Sequence, residues 1–140
     1  MRLLIWHVDR FKCVITERGR SKIVEEYTNP ETEVAEALLV FASVEKSDEA
    51  APMAVAAKAA DEIANLALTL KAQSIVLHSF AHLFGELSSP QTAIDVLKAT
   101  EANLQQKNLK VIRTPFGWFN TLDIQAKGHP LSRVARTITP

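Results

Sequence analysis

Hydrophobic and polar residues alternate along the first part of the chain in the pattern that predicts extended strands. The stretches "RLLIWHVD" and "FKCVITE" are predicted to be two antiparallel partners. A turn at Gly19 then leads to "KIVEEY", a weaker third strand, and "TNPETEV" is a polar connection. The next stretch, "EALLVFASVE", is almost continuously apolar, which is typical of a central strand that is covered on both faces.

The middle of the chain changes to the three- and four-residue spacing of helices. One helix is predicted from Pro52 to Gln73 and a second from Pro90 to about Asn108, each with a proline that fits the first turn. Between them lie a strand, "SIVLHSF", and an irregular or helical stretch, "AHLFGELSS". The strand "LKVIRTPFG" ends in a turn, "WFNTLDIQA" is the last strand, and the tail after Gly128 has no strong period.

This order of elements predicts an α/β (α+β) fold in a single domain over residues 1–140. We expect an α/β layer or a partly closed barrel that is covered by two helices. Apolar residues make up 47% of the chain, which suffices for a core. No run approaches the roughly 20 apolar residues of a membrane span, and a cytoplasmic protein without membrane contact is expected.

Charge and cysteine content narrow the classes of function. Sixteen basic residues balance sixteen acidic ones, which argues against broad, nonspecific nucleic-acid binding. Binding of a single nucleic-acid end needs only a local basic patch. The last part of the chain supplies one with Lys127, Arg133 and Arg136. Cys13 is the only cysteine, so neither an internal disulfide nor a cysteine zinc site is predicted.

Three loops leave the ends of predicted strands and are expected to gather in space: "SVEKSDE", "HSFAHLFGE" and "TPFGWF". His82 is either a general base or hydrogen-bond partner of a substrate hydroxyl, or else a capping or buried histidine. His78 lies four residues earlier, but it falls inside a predicted strand without a third ligand, so no metal is predicted. Ser79 is outside a G-x-S-x-G elbow, and Glu45 with Lys46 is most simply a solvated pair.

The third loop has two interpretations, which the residues alone leave open. Phe116, Trp118 and Phe119 either stack on a base, as single-stranded nucleic-acid ends are often held, or pack in the core. Gly117 permits a positive φ or a close approach of backbone to a ligand, and it is also the ordinary residue of a plain turn.

Four motifs in register resemble a known family. They are "SVEK", "FAHL", "PFG" and "KGHPL" followed by "RTI", and together they resemble the N-terminal editing domain of archaeal threonyl-tRNA synthetases over essentially the whole chain. The resemblance implies a D-aminoacyl-tRNA deacylase-like fold, a barrel-like mixed sheet of about seven strands with two main helices. It also implies hydrolysis of L-seryl-tRNA(Thr) without a cofactor, usually in a homodimer.

The implied activity meets a physical need. Serine lacks only one methyl group relative to threonine, which is worth only about 1–3 kcal/mol in a binding pocket. A second, hydrolytic pocket that excludes threonine restores fidelity. The implied partners are the tRNA(Thr) acceptor end carrying serine and a threonyl-tRNA synthetase catalytic chain or domain.

The resemblance also implies roles for residues of the three loops. The groups placed around the reacting ester, largely through backbone N–H groups that stabilise an oxyanion, are Ala81, His82, Phe116 and Gly117. The groups placed around the substrate are Val44, Glu45, Ser79, Phe80, Trp118, Phe119, Asn120 and Arg133. Val44 is expected to limit the size of the substrate side chain, and the water and the terminal ribose 2′-OH are expected to supply the remaining chemistry.

Three positions depart from the family pattern. Better-known members have Lys where Asn120 stands and Glu where Arg133 stands, and they tend to have Pro at the position of Ser79. We interpret the missing pair as inessential to the chemistry. The alternatives are a D-aminoacyl-tRNA deacylase, although the chain has no Gly-Pro motif, a non-catalytic module that binds a tRNA end or nucleoside, and a purely structural domain of a synthetase.

Overall fold

The structure, a computed structural model, describes residues 1–140. Seven strands form one sheet: β1 (Arg2–Arg18), β2 (Glu31–Val34), β3 (Ala37–Ser43), β4 (Ser74–Ser79), β5 (Lys110–Arg113), β6 (Trp118–Ala126) and β7 (Arg133–Thr137). The helices are α1 (Pro52–Leu70) and α2 (Pro90–Gln105), with a short 3-10 helix at Lys46–Ala50. None of the helices combines the length and the apolar composition that a membrane crossing requires.

The long strand β1 pairs along both of its edges. It is antiparallel to β2 and then β3 on one edge and to β6 and β7 on the other. The sequence predicted two antiparallel strands in this region, which is wrong. No glycine, proline or asparagine separates Val8 from Phe11, so the chain stays extended, and a shift in its register with β6 between Val8 and Arg10 absorbs the irregularity.

Strands β3, β4 and β5 are parallel neighbours, and α1 and α2 are the crossovers between them. This part of the predicted order is confirmed. Both helices stop a few residues before the predicted ends. In α1 the stop is at Lys71, whose left-handed φ of 57° closes the last turn with bonds to Ala67 O and Leu68 O.

Two further predictions about strands are wrong. The stretch "KIVEEY" forms no strand, whereas the predicted connection "TNPETEV" contains β2. The tail after Gly128, for which no element was predicted, contains β7. Residues 133–137 pair with Arg2–Trp6 of β1. A partner distant in sequence therefore makes a strand of a segment whose own periodic signal is weak.

Two apolar clusters cover the opposite faces of the sheet. The larger has 22 buried residues and lies between the sheet and the helices, and the smaller has seven on the other face. Alternate side chains of β3 enter one cluster and then the other, which explains its continuous apolar run. Phe11 of β1 meets His78 of β4 with ring centroids 6.0 Å apart, so the sheet curls around the smaller cluster.

Candidate active site at the ends of three parallel strands

The three loops that the sequence singled out leave neighbouring strands at the same edge of the sheet. Phe80 N–H donates to Ala42 O at 2.9 Å, which joins the ends of β3 and β4. Thr114 N–H donates to Leu77 O at 3.0 Å, which joins the ends of β4 and β5. Ligands of parallel sheets usually bind at this edge, so the arrangement provides a candidate site.

A buried carboxylate fixes the first loop. Asp48 is fully buried, and its Oδ2 accepts a hydrogen bond from Glu45 N–H at 2.7 Å while its Oδ1 accepts one from the α-amino group of Met1 at 2.7 Å. Glu45 Oε1 in turn accepts from Arg2 Nε at 3.2 Å. The Glu45 carboxylate is therefore bound within the protein, and it does not pair with Lys46, which is exposed and forms its ion pair elsewhere.

Val44, which directly follows β3, is bonded to the segment that follows the second loop. Its side chain is only 4% exposed and belongs to the larger cluster. Its carbonyl oxygen accepts a hydrogen bond from Ser88 N–H at 3.1 Å, which ties the far end of the loop to the end of β3. The backbone of Val44 is thus joined to the segment that follows the loop, while its side chain lies in the core.

The loop after β4 presents a row of backbone donors. The six N–H groups of Ala81–Glu86 donate to no acceptor within the protein. Ser79 and Phe80 are half-buried at the root of the loop, whereas Ala81 and His82 are exposed. The His82 ring lies edge-on against Phe80, with centroids 5.2 Å apart, and its nitrogens make no hydrogen bond. The loop therefore offers amides and one unengaged imidazole.

His78 joins the roots of the second and third loops. Its Nδ1 is 2.9 Å from Thr114 Oγ1, and its ring makes edge contacts with Phe11 and Phe41. Burial lowers the pKa of His78 to about 4, so the imidazole is neutral at pH 7. His78 lies within β4, as predicted, and no group of three or more His, Cys, Asp or Glu side chains is placed to hold a metal ion.

A carboxylate from the segment between β1 and β2 holds the third loop. Glu25 Oε1 accepts from Phe116 N–H at 3.1 Å and pairs with Arg113, which also donates to Glu101 Oε2 at 2.8 Å. Burial raises the pKa of Glu25, but the Arg113 guanidinium and the Phe116 amide lower it more, and the pKa lies below its ordinary value. Glu25 is therefore an anion at neutral pH and clamps the turn.

Gly117 is required by packing at this turn. Its φ is +94°, and a Cβ there would lie 2.6 Å from Val24 Cγ1. Its carbonyl oxygen accepts from Gly19 N–H at 2.8 Å, whereas its own N–H donates to no protein acceptor. The turn is thus pressed against residues 19–25 and keeps one free donor.

The three aromatic residues of the third loop differ in their exposure to solvent. The Trp118 ring packs edge-on against Tyr27 with centroids 4.9 Å apart, and its Nε1–H donates to Glu25 O at 2.8 Å. Phe116 is partly buried against the larger cluster, whereas Phe119 is half exposed. Phe119 is therefore the most accessible of the three rings.

Asn120 and Arg133 make no hydrogen bond to the first two loops. Asn120 Nδ2 donates to Trp118 O at 3.1 Å, and its Oδ1 is buried without a partner. The guanidinium carbon of Arg133 lies 5.6 Å from the centroid of the Trp6 ring. The other basic residues of the tail are paired, since Lys127 binds Asp9 and Arg136 binds Glu62.

Other places on the molecule offer less chemistry. Cys13 is buried in the smaller cluster, and burial raises the pKa of its thiol. Two open surface depressions contain none of the predicted site residues. They are lined by Asn29, Glu31, Thr32 and Glu33 in one case and by Ala57, Asp61, Asn103, Gln106 and Lys107 in the other.

The sequence did not identify the residues that hold the loops. Asp48 and Thr114 lie within the quoted motifs, but only their buried contacts distinguish them from surface residues. Glu25 lies in the segment that was assigned to a strand, and its one local signal is a carboxylate that directly follows the apolar pair Ile23-Val24.

The fold is shared with a solved structure of very different sequence. The "c-Myc DNA Unwinding Element Binding Protein" superposes with a TM-score of 0.72 and 12% identity over 100% of both chains. At this identity the likeness concerns the fold alone. The predicted fold class, a D-aminoacyl-tRNA deacylase-like mixed sheet of about seven strands with two main helices, is confirmed.

Sequence similarity identifies the family of this chain. Residues 1–138 match the model described as the archaea-specific editing domain of threonyl-tRNA synthetase. The threonine–tRNA ligase of Methanopyrus kandleri is 44% identical, that of Methanocaldococcus jannaschii 41% and that of Thermococcus gammatolerans 39%, each covering 99–100% of this chain and 22% of the relative. This chain belongs to the archaea-specific editing-domain family of threonyl-tRNA synthetase.

The match confirms the resemblance that the four motifs predicted. As an editing domain, the chain belongs to the proofreading machinery of protein biosynthesis. It spans about a fifth of the length of the curated relatives that it matches.

Proposed function

We propose that this chain hydrolyses the ester of L-seryl-tRNA(Thr) and releases serine. The observation that carries the proposal is the match of residues 1–138 to the editing domain of threonyl-tRNA synthetase. Serine is the expected error of a threonine pocket, because a missing methyl group costs a ligand only about 1–3 kcal/mol.

The free backbone donors support a mechanism that needs few side chains. Water attacks the ester carbonyl carbon, and the oxyanion accepts hydrogen bonds from the N–H groups of Ala81 and His82 and from Gly117 N–H. The bond to the ribose oxygen then breaks, and this oxygen takes up a proton that water gave up. The neighbouring 2′-OH holds the water and relays the proton, so the products are serine and a free ribose hydroxyl.

Three side chains have supporting roles in this proposal. The exposed imidazole of His82 hydrogen-bonds the aminoacyl group, and half-exposed Phe119 stacks on the terminal adenosine. We place Val44, which directly follows β3, in the floor of the site, where it sets the depth that is available to the substrate side chain. Because the extra methyl of threonine needs that depth, Val44→Ala is expected to raise hydrolysis of threonyl-tRNA(Thr) more than that of seryl-tRNA(Thr).

A deacylation assay tests the proposal directly. Purified chain is mixed with seryl-tRNA(Thr) or threonyl-tRNA(Thr) carrying a radiolabelled amino acid, and loss of acid-precipitable label is followed. We expect rapid loss of serine and little loss of threonine. The exposed residue Leu68 of α1 provides a control, since Leu68→Ala should leave the rates unchanged. Serine loss at the spontaneous rate would contradict the proposal.

The same assay separates the alternatives. Hydrolysis restricted to D-aminoacyl-tRNA would indicate a D-aminoacyl-tRNA deacylase. Binding of a non-hydrolysable seryl-adenosine analogue, together with no hydrolysis of seryl-tRNA(Thr), would indicate a non-catalytic module. The replacements at Asn120 and Arg133 are the reason for testing this alternative. The homodimer stays a prediction, and analytical ultracentrifugation of the chain with and without tRNA tests it.

A further inference from the structure

Phe84, in the loop after β4, combines an unfavourable backbone with an unburied ring. Its φ is +65°, a region that bulky residues with a Cβ rarely adopt, and the residue is 98% exposed. Folding gains nothing from an apolar ring left in water. Strain and exposure in one residue point to a role outside the fold itself.

The residues on both sides of Phe84 are anchored. Leu83 O accepts from Arg2 Nη1 at 3.2 Å, and Arg2 Nε binds Glu45. On the other side, Gly85 packs so closely that a Cβ would lie 1.9 Å from Glu45 Oε2. The Arg2–Glu45 pair therefore supports the loop immediately before and after Phe84, and the ring is held outwards on a fixed base.

The surroundings of Phe84 suit a single-stranded nucleic acid. Its Cα is two residues from that of His82, at most about 7 Å away. The amides of Ala81–Glu86 are free to donate, and Arg2 keeps its Nη2 unbonded, with its side chain 44% exposed. Single-stranded nucleic acid is held by aromatic faces under its bases and by cations and amides at its phosphates.

We propose that Phe84 stacks on the base that precedes the terminal adenosine of the tRNA acceptor end, while Arg2 meets the adjoining phosphate. This inference rests on the proposed function, which places the terminal adenosine between the second and third loops. We place that nucleotide against Phe119 and the nucleotide before it along the second loop. Phe84 is then a positioning residue for the substrate and takes no part in the bond changes.

Binding to altered RNA tests the stack. A fluorescent RNA minihelix with a single-stranded -CCA end is titrated with wild-type chain, Phe84→Ala, Phe84→Tyr and the control Leu68→Ala, an equally isolated apolar residue that is 81% exposed on α1. Phe84→Ala should raise Kd about tenfold, as the loss of one base–aromatic stack does, and Phe84→Tyr and Leu68→Ala should leave it within about twofold.

An abasic nucleotide before the terminal adenosine completes the double-mutant cycle. The abasic nucleotide should lower the affinity of the wild-type chain about tenfold, whereas it should not lower the affinity of Phe84→Ala any further. The same factor for Phe84→Ala on the intact and the abasic RNA would overturn the proposal. So would a Kd for Phe84→Ala equal to that of wild type.

Hydrolysis assays keep this inference separate from the proposed function. Phe84→Ala should raise KM for seryl-tRNA(Thr) with kcat unchanged, and it should hydrolyse seryl-adenosine, which lacks the preceding base, at the wild-type rate. If wild type hydrolyses seryl-tRNA(Thr) and Phe84→Ala has the same KM, the stack is refuted and the proposed function stands. If wild type hydrolyses neither substrate, the proposed function fails, and the RNA titrations still decide the stack.

Discussion

The second and third loops leave the neighbouring ends of β4 and β5, and as the two proposed walls of the candidate site they are held in different ways. The turn at Thr114–Gly117 is clamped by an anionic side chain, an arginine and backbone bonds to residues 19–25. The loop after β4 is tied at its ends and through Leu83 O, and it leaves six consecutive amides free. The third loop is therefore held by several partners and keeps one free donor at Gly117, whereas the second loop offers six free amides.

Removing the clamp should have the largest effect. Glu25→Ala leaves the partly buried Arg113 and the Phe116 amide without their shared acceptor, and we expect a loss of about 3 kcal/mol in the free energy of unfolding. Deacylation should fall at least tenfold, because the Gly117 donor is no longer fixed. Urea unfolding and single-turnover rates measure both. Glu26→Ala, a change at the exposed neighbour, is the control, and equal effects of the two changes would show that Glu25 is not a clamp.

His78 joins the roots of the two loops, and it should make the stability of the protein depend on pH. The unfolded chain protonates His78 below pH 6.5, whereas the folded chain does so only near pH 4, so the unfolded state binds more protons between these values. Stability should therefore fall as the pH drops from 6.5 to 4, by roughly 3 kcal/mol from this residue.

Denaturation at several pH values checks this slope. His7, whose pKa burial also lowers, contributes in the same direction. The informative quantity is thus the difference between wild type and His78→Gln, which should lack the part of the slope that His78 contributes. Exposed His82 supplies the control, since His82→Gln should retain the slope. A slope that is unchanged in His78→Gln would contradict the assignment.

Gly117, in the third loop, should contribute more to the stability of the protein than Gly128. Gly117→Ala places a methyl group against Val24 at a positive φ, and we expect a loss of about 2 kcal/mol of stability with a clear fall in deacylation. Gly128→Ala is the matched control, because nothing lies within 4 Å of the added methyl. Melting temperatures that are the same for the two variants would show that the turn has room to relax.

The smallest effects are expected where the family pattern is broken. Asn120→Ala and Arg133→Ala should each keep deacylation within about threefold of wild type and cost at most about 1 kcal/mol of stability, because neither side chain bonds to the first two loops. A large fall in the single-turnover rate of either variant would mean that side chains, and not backbone donors, carry the chemistry.

The two loops also show which parts of the candidate site could be predicted from the sequence. The motifs around His82 and Gly117 marked both loops, because short polar and glycine-containing segments at strand ends are visible in any sequence. The clamp was not visible, because Glu25 and Phe116 are separated by 91 positions and only folding brings them together. For the same reason the segment that carries Glu25 was assigned to a strand that does not form.

The sequence by itself determined the two helices, the central strand β3, the crossovers between the parallel strands and the family, because these depend on local periodicity and on motifs that are contiguous in the chain. Only the tertiary structure decided that β1 is one strand, that the tail forms β7, that Asp48 and Glu25 hold the loops, and that the amides of Ala81–Glu86 stay free. Each of these depends on which distant groups meet, and hydrogen bonds and burial between distant segments leave no periodic trace along the chain.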